Sequence, residues 1–399
     1  MGNVIIKENK WINGALPTIF IHVCIGSVYC WSLLKGSIAT EMGVQISDIE
    51  FAFSLAIFFL GMSAAFMGRY IEKNVTFSSL LSALCFSFGL ILSSVAVYFK
   101  SIPLLFLGFG CIMGIGLGIG YISPVKTLML WFSEHKGIAT GIAISGFGLS
   151  KVIFSPYIEW CTKTYSIHTT LWSMAIMSIV LMLIACFAIK KPSWWVEEKK
   201  SITVKELSNV ILAKDYVKIW LIFFLNITCG LALIAFEKDL CITNGIIAVA
   251  AISSLTAFFN TAGRFGYATA SDYLKHKKHI YTIIFTSCAL LCFAYVSNIF
   301  AVSIITIILL CIINLGYGGG FSTMPNLLQE KYGMKNISTI HGIMLSAWAI
   351  AGLCGNNLSN LLINRLHFNY ITLLFTLGCL YLVSLFITLT IKNTTYVKQ

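Results

Sequence analysis

Charge is scarce in this chain of 399 residues: Asp, Glu, Lys and Arg together make up 11% of it. A soluble domain carries about 25%, so a water-soluble globule of this length is excluded. Arginine is scarcer still, with three (Arg69, Arg264 and Arg365) against 24 lysines. No GxxxxGK(S/T) phosphate loop occurs and no loop is long enough for an ATPase domain, which excludes a nucleotide-driven pump. No nucleophile–base constellation stands out, so no catalytic residue and no enzymatic activity are expected. The 13 cysteines are scattered through apolar stretches without a CxxC or Cys/His ligand pattern. Neither disulfides nor a metal site is indicated, and Cys288 and Cys292, one helical turn apart, read as small apolar residues. No cofactor is implied. A cleavable signal is not expected, because Lys7, Glu8 and Lys10 precede a span too long for an h-region. Ile6 stands where myristoylation favours Ser or Thr.

What the chain has is hydrophobicity: 58% of residues are apolar, 14% are aromatic, and the mean hydropathy is +0.88. Apolar segments run at 13–34, 47–68, 77–98, 102–132, 137–160, 168–189, 217–236, 244–270, 280–297, 300–328, 338–363 and 369–391. At ~25 to 30 residues per span and turn, the length holds about a dozen membrane helices. An even number of spans puts both termini on one side. The net charge of +12 does not indicate nucleic acid, because 19 of the 27 Lys and Arg fall in the termini and the even-numbered loops, with Lys218 at the edge of the seventh segment counted to its loop. That bias places the even loops and both termini in the cytosol.

The expected architecture is an all-α membrane protein with twelve transmembrane helices in two pseudo-symmetric six-helix bundles, 1–190 and 217–399. A charged stretch, 191–216, reads as a cytosolic linker. Within it SITVKELSNVI offers a Ser/Thr start and spaced apolar residues for an amphipathic helix. The halves repeat each other: Glu72 and Asp272 are 200 residues apart, while Pro124 and Pro325, like Gly141 and Gly342, are 201 apart. Parallel six-helix repeats describe a common transporter design, alternating access around a site near the midplane.

GRYIEKN (68–74) and ATASDYLKHKK (268–278) both resemble the G-x-x-x-D-R-x-G-R/K loop of the major facilitator superfamily. The resemblance implies a cytosolic latch involving Gly68, Arg69, Glu72 and Asp272. Each copy departs from the pattern, Glu72 replacing Asp and Ala268 replacing Gly. Within that superfamily the chain is similar to the oxalate/formate antiporter family. The similarity is carried by GSVYCWS (26–32), GIGYISPVKTLMLWFSEHKGIATGIAISGFGLS (118–150), NITCGL (226–231), NTAGRFGYATASD (260–272) and GYGGGFSTMPNLLQEKYGMKNISTIHG (316–342).

Arg264 stands inside an apolar span, where an Arg costs about 2.5 to 3.5 kcal/mol by insertion scales. Its planar fork matches a carboxylate, and Asn260 and Tyr267 share its face. The family likeness implies that Arg264 binds the substrate carboxylate; pairing with Asp272 is the plain structural alternative. In the family a Lys of the eleventh helix supplies a second cation, and here that position is Trp348. The change counts against oxalate and favours a monocarboxylate with an apolar remainder. Lys151, in the fifth helix with Phe147 and Ser155 on its face, is a possible replacement cation, and an internal pair with Glu159 or snorkelling are the alternatives. His22, Gly26 and Tyr29 share a face of the first helix, His22 being able to donate to a carboxylate or exchange protons. Tyr29, Trp31, Tyr121 and Tyr317 match aromatic positions of the family. Lys126 is expected to snorkel.

The function expected is secondary active transport of small monocarboxylates such as pyruvate, lactate or formate, by proton symport or anion exchange. A dicarboxylate or other organic-anion exchanger using Arg264 and Lys151, and a non-transporting carboxylate sensor, are the alternatives. The expected partners are the substrate, protons or a counter-anion, and lipid; no nucleic acid; and the chain is expected to be a monomer. Its membrane is a bacterial inner or plasma membrane, or that of an organelle.

Overall fold

The computed structural model describes residues 8–71, 73–196, 202–298 and 302–393. Among them all regular structure is helical, which is what an apolar medium demands, since a helix satisfies its own backbone donors and acceptors. The long helices are α1 (Trp11–Met42), α2 (Ile46–Gly68), α3 (Val75–Tyr98), α4 (Ile102–Trp131), α5 (Lys136–Thr164) and α6 (Ile167–Ala188), then α7 (Lys214–Ile234). There follow α8 (Val249–Asp272), α9 (Lys278–Val296), α10 (Val302–Tyr332), α11 (Ile337–Ile363) and α12 (Tyr370–Leu389).

Eleven of these, among the described residues, are long and apolar enough to cross a membrane. The twelfth, α8, has 24 residues, about 36 Å of helix, which exceeds the ~30 Å hydrocarbon core. It falls short only in hydropathy, because Ser253, Ser254, Thr256, Asn260, Thr261 and Arg264 punctuate it. The helix least like a membrane span is the one that contains Arg264.

Short polar caps separate the spans. Asn74 Oδ1 accepts Phe77 N–H at 3.0 Å before α3, Ser166 Oγ accepts Thr169 N–H at 3.1 Å before α6, and Asn369 Oδ1 accepts Thr372 N–H at 3.0 Å before α12. The first span is longer than its apolar stretch: α1 continues to Met42 and stops at Gly43, whose φ of 71° suits glycine. The linker helix expected from SITVKELSNVI is present as Val204–Ile211. It opens on a reciprocal cap in which Thr203 N–H donates to Glu206 Oε2 at 2.8 Å and Glu206 N–H donates to Thr203 Oγ1 at 3.2 Å.

The chain divides into two compact units, Met1–Ser201 and Ile202–Gln399. Within the first, α2 packs on α4, α3 on α6 and α1 on α5; within the second, α8 packs on α10, α9 on α12 and α7 on α11. Shifting the first set by six helices gives the second, so the repeat read from three residue pairs extends to the packing. Small residues let these helices approach closely. A Cβ at Gly118 would strike Leu60 O and Ser63 Oγ across α2–α4, and one at Gly318 would strike Asn260 O across α8–α10. Gly118 and Gly318 are themselves 200 residues apart, as are Leu60 and Asn260.

Candidate anion-binding site

Arg264 is 1% exposed within the second unit. Its Nε–H donates to Asn260 Oδ1 at 3.0 Å, one turn earlier on α8. That bond directs the side chain toward the start of the helix, the direction opposite to Asp272. The guanidinium carbon lies 5.5 Å from the centroid of the Phe321 ring. Phe321 is in turn the hub of an aromatic cluster, with Trp348 at 4.6 Å, Tyr317 at 5.1 Å and Phe223 at 5.2 Å between centroids. The triple glycine of α10 makes the approach possible. A Cβ on Gly318 would come within 3.1 Å of Arg264 Cγ, and one on Gly319 would overlap the Tyr267 ring. The face shared by Asn260, Arg264 and Tyr267 is therefore the face laid against GGGF. Held by an amide on one edge and an aromatic ring below, the guanidinium has a defined plane, as two-point recognition of a carboxylate requires.

The first unit contains the same cluster without the cation. His22 lies 5.6 Å from Tyr121, and Phe147 lies 5.8 Å from Tyr121 and 5.2 Å from Tyr29. His22 and Phe223 are 201 residues apart, Tyr121 and Phe321 are 200 apart, and Phe147 and Trp348 are 201 apart. Three rings of one cluster thus stand at the repeat positions of three rings in the other, while Tyr29 and Tyr317 have no aromatic counterpart, the offset placing Gly230 and Leu117 there. The counterparts of Asn260 and Arg264 are Leu60 and Ala64, both fully buried. His22 Nδ1 lies 3.0 Å from Thr18 O. A carbonyl only accepts, so in the neutral ring Nδ1 carries the hydrogen and Nε2 is the acceptor.

The remaining candidates separate. Lys151 and Glu159 are both exposed, and no ion pair joins them among the described residues; Ser155 on the same helix lies 3.9 Å from Cys30 Sγ. Trp31 is buried against Phe109, 4.5 Å away on α4, apart from the rings that meet Tyr121. Lys126 does not snorkel to water: it is 3% exposed, its Nζ 5.6 Å from the Trp195 ring of the segment after α6. That segment folds back on its own unit, where Lys190 O accepts Trp131 Nε1–H at 2.8 Å. Of the latch residues, Glu72 and the side chain of Arg69 lie outside the described residues, and Gly68 is buried. In the second unit Asp272 closes α8, but the carboxylate that gathers the following loop is Glu330 of α10. It takes His276 Nδ1 at 3.1 Å and Lys277 N–H at 2.8 Å. Sequence reading missed Glu330, Phe223 and Phe321; the last two follow from His22 and Tyr121 once the offset of 200 to 201 is applied.

These helices have known counterparts. Residues 16–356 match the family model of the Major Facilitator Superfamily. Over 361 residues the chain is 24% identical to the oxalate:formate antiporter of Oxalobacter formigenes, covering 88% of this chain and 84% of that protein. An uncharacterized MFS-type transporter of Escherichia coli (strain K12) is 22% identical over 358 residues, 87% of each chain. The apicoplast pyruvate carrier 1 of Toxoplasma gondii is 27% identical over 193 residues, 38% of this chain and 35% of that one. Among solved structures, a proton:xylose symporter superposes with a TM-score of 0.72 at 13% identity, over 95% of each chain, which speaks for the fold. A family match that runs through both six-helix units, together with the packing those units repeat, places the chain in the Major Facilitator Superfamily, whose members are membrane transporters and not enzymes.

Proposed function

We propose that the chain is a secondary active transporter of small monocarboxylates, pyruvate, lactate or formate, working by alternating access with Arg264 as the anion anchor. The observation that carries this reading is a single guanidinium, 1% exposed, oriented by Asn260 and faced by Phe321, with Trp348 packed on Phe321 at the position where a second cation would stand. One carboxylate matches one guanidinium. A second carboxylate brought to Trp348 would be desolvated without a partner, at a cost of several kcal/mol. The names of two relatives, an oxalate:formate antiporter and a pyruvate carrier, support small carboxylates as the substrate class. In this reading both termini and the 191–216 linker face the cytosol, and Tyr29, Tyr121 and His22 are proposed substrate contacts of the first unit.

A second reading, a dicarboxylate exchanger, has one observation in its favour: Lys151 is exposed and holds no ion pair with Glu159. Uptake of labelled pyruvate, lactate, formate and oxalate into proteoliposomes decides between them, with wild type beside Arg264→Ala and Lys151→Ala. Uptake of a monocarboxylate but not oxalate, lost in Arg264→Ala and kept in Lys151→Ala, is the expected result. Saturable oxalate uptake lost in both variants would instead make Lys151 the second cation. Absence of flux for all four would leave the sensor or another anion.

A further inference from the structure

The second unit contains a buried carboxylate that anion anchoring does not use. Glu237 begins the short helix Glu237–Thr243 that follows α7 and is 9% exposed. Its oxygens are held by α8: Ser253 Oγ–H donates to Oε1 at 3.0 Å, and Thr256 Oγ1 lies 3.0 and 3.2 Å from Oε1 and Oε2. Thr256 stands one turn before Asn260 and two turns before Arg264. Ser253, Thr256, Asn260 and Arg264 are spaced by three, four and four, so they form one stripe on α8, running from Glu237 to the guanidinium.

The repeat shows that packing does not demand this stripe. Two hundred residues earlier, α2 carries Phe53, Ala56, Leu60 and Ala64, and the positions matching Glu237 are Gly36 and Ser37. Polar side chains stand in one unit at five positions where the other holds only apolar or small residues. Among the described residues, Cys241 on its own helix and Cys311 on α10 lie within electrostatic reach of Glu237; the adjacent Lys238 and Asp239 are exposed.

We propose that Glu237 is the proton-binding site that couples carboxylate movement to a proton gradient, an inference that rests on Arg264 being the anion anchor. With the two charges on the order of 10 Å apart along α8 and an effective dielectric of ~20, their interaction amounts to about a tenfold change in proton affinity. The guanidinium favours ionised Glu237. A carboxylate bound to Arg264 cancels that charge, so Glu237 then takes up a proton about tenfold more readily. By reciprocity the protonated Glu237 tightens anion binding by the same factor. The loaded carrier holds one proton and one carboxylate, and the pair crosses without net charge.

Pyruvate is the probe for the test, in proteoliposomes bearing wild type, Glu237→Gln or Glu237→Asp. Two activities are read: accumulation driven by an inside-alkaline pH gradient, and pyruvate counterflow at equal pH. Glutamine resembles the protonated acid, so Glu237→Gln is expected to keep counterflow and lose gradient-driven accumulation at least tenfold, with Glu237→Asp restoring accumulation at a shifted pH. The proposal is overturned by a Glu237→Gln protein that accumulates pyruvate as wild type does. It is equally overturned by a wild type that counterflows pyruvate but ignores the gradient, with the carboxylate reading intact. Loss of both activities in Glu237→Gln and Glu237→Asp alike would make Glu237 a structural residue and overturn it too. A wild type that counterflows none of pyruvate, lactate or formate would bring down both readings.

Discussion

The two six-helix units pack their helices in the same pairs and place three rings at matching repeat positions, yet among the described residues a buried guanidinium is found in the second alone. His22, Tyr121 and Phe147 in the first unit answer to Phe223, Phe321 and Trp348 in the second, but Leu60 and Ala64 answer to Asn260 and Arg264. The repeat therefore preserves what packing needs, namely ring volume around a small-residue helix contact, and frees a few positions for chemistry. Burial makes the difference costly. Ala64 lies inside the first unit at no electrostatic expense, whereas Arg264 needs Asn260, Phe321 and, in the proposed function, a substrate anion to offset its desolvation.

The largest expected effect comes from removing that asymmetry. Arg264→Ala gives α8 the residue of α2, and pyruvate uptake should fall at least 100-fold, since two charge-assisted hydrogen bonds are worth ~3 kcal/mol or more. The protein should still fold, because an alanine is what the equivalent position already tolerates; a thermal melt in detergent within a few degrees of wild type would show this. Asn260→Leu, again the residue of the first unit, should weaken apparent affinity roughly tenfold by releasing Arg264 Nε. Unchanged KM in Asn260→Leu would mean that Phe321 alone orients the guanidinium.

Next in size is a paired test of the glycine contacts. Gly118→Ala and Gly318→Ala both force a methyl group against a backbone carbonyl, of Leu60 and Asn260 respectively. Each should cost about 1 to 3 kcal/mol of stability by overpacking, read as a similar fall in melting temperature. Only the second also presses on Arg264 Cγ, so only Gly318→Ala should raise the KM for pyruvate beyond what its loss of folded protein explains. Equal effects on transport would show that the glycines serve packing alone.

Much of this is legible in the sequence. Eleven of the twelve spans follow from hydropathy, because a bilayer leaves helices little choice; α8 is less apolar, and Arg264 within it stands out as one of three arginines and the one within a span. Asn260 followed from helical spacing. Phe321 did not, because in a chain that is 14% aromatic one more phenylalanine carries no signal until the repeat maps it onto Tyr121. Glu237 was hidden differently. In sequence it sits in a Glu-Lys-Asp run that reads as a solvated helix end, and only the hydroxyls of Ser253 and Thr256, 16 and 19 residues further on, mark it as interior. Lys126 misled in the opposite direction, since its distance from water depends on Trp195, a linker residue that no periodicity connects to α4.

The smallest expected effect lies in the first unit. His22→Phe installs the residue that the second unit carries at the matching position, Phe223, which packs on Phe321 at 5.2 Å much as His22 packs on Tyr121 at 5.6 Å. The site already holds an aromatic ring, so the cost is the lost bond to Thr18 O and a slightly larger volume, about 1 kcal/mol. Uptake should change by threefold or less and its pH profile should keep its midpoint, because in this account the coupled proton resides on Glu237. A profile that flattened in His22→Phe would move the titrating group into the first unit. The comparison would then invert: the cation would belong to one repeat and the proton to the other.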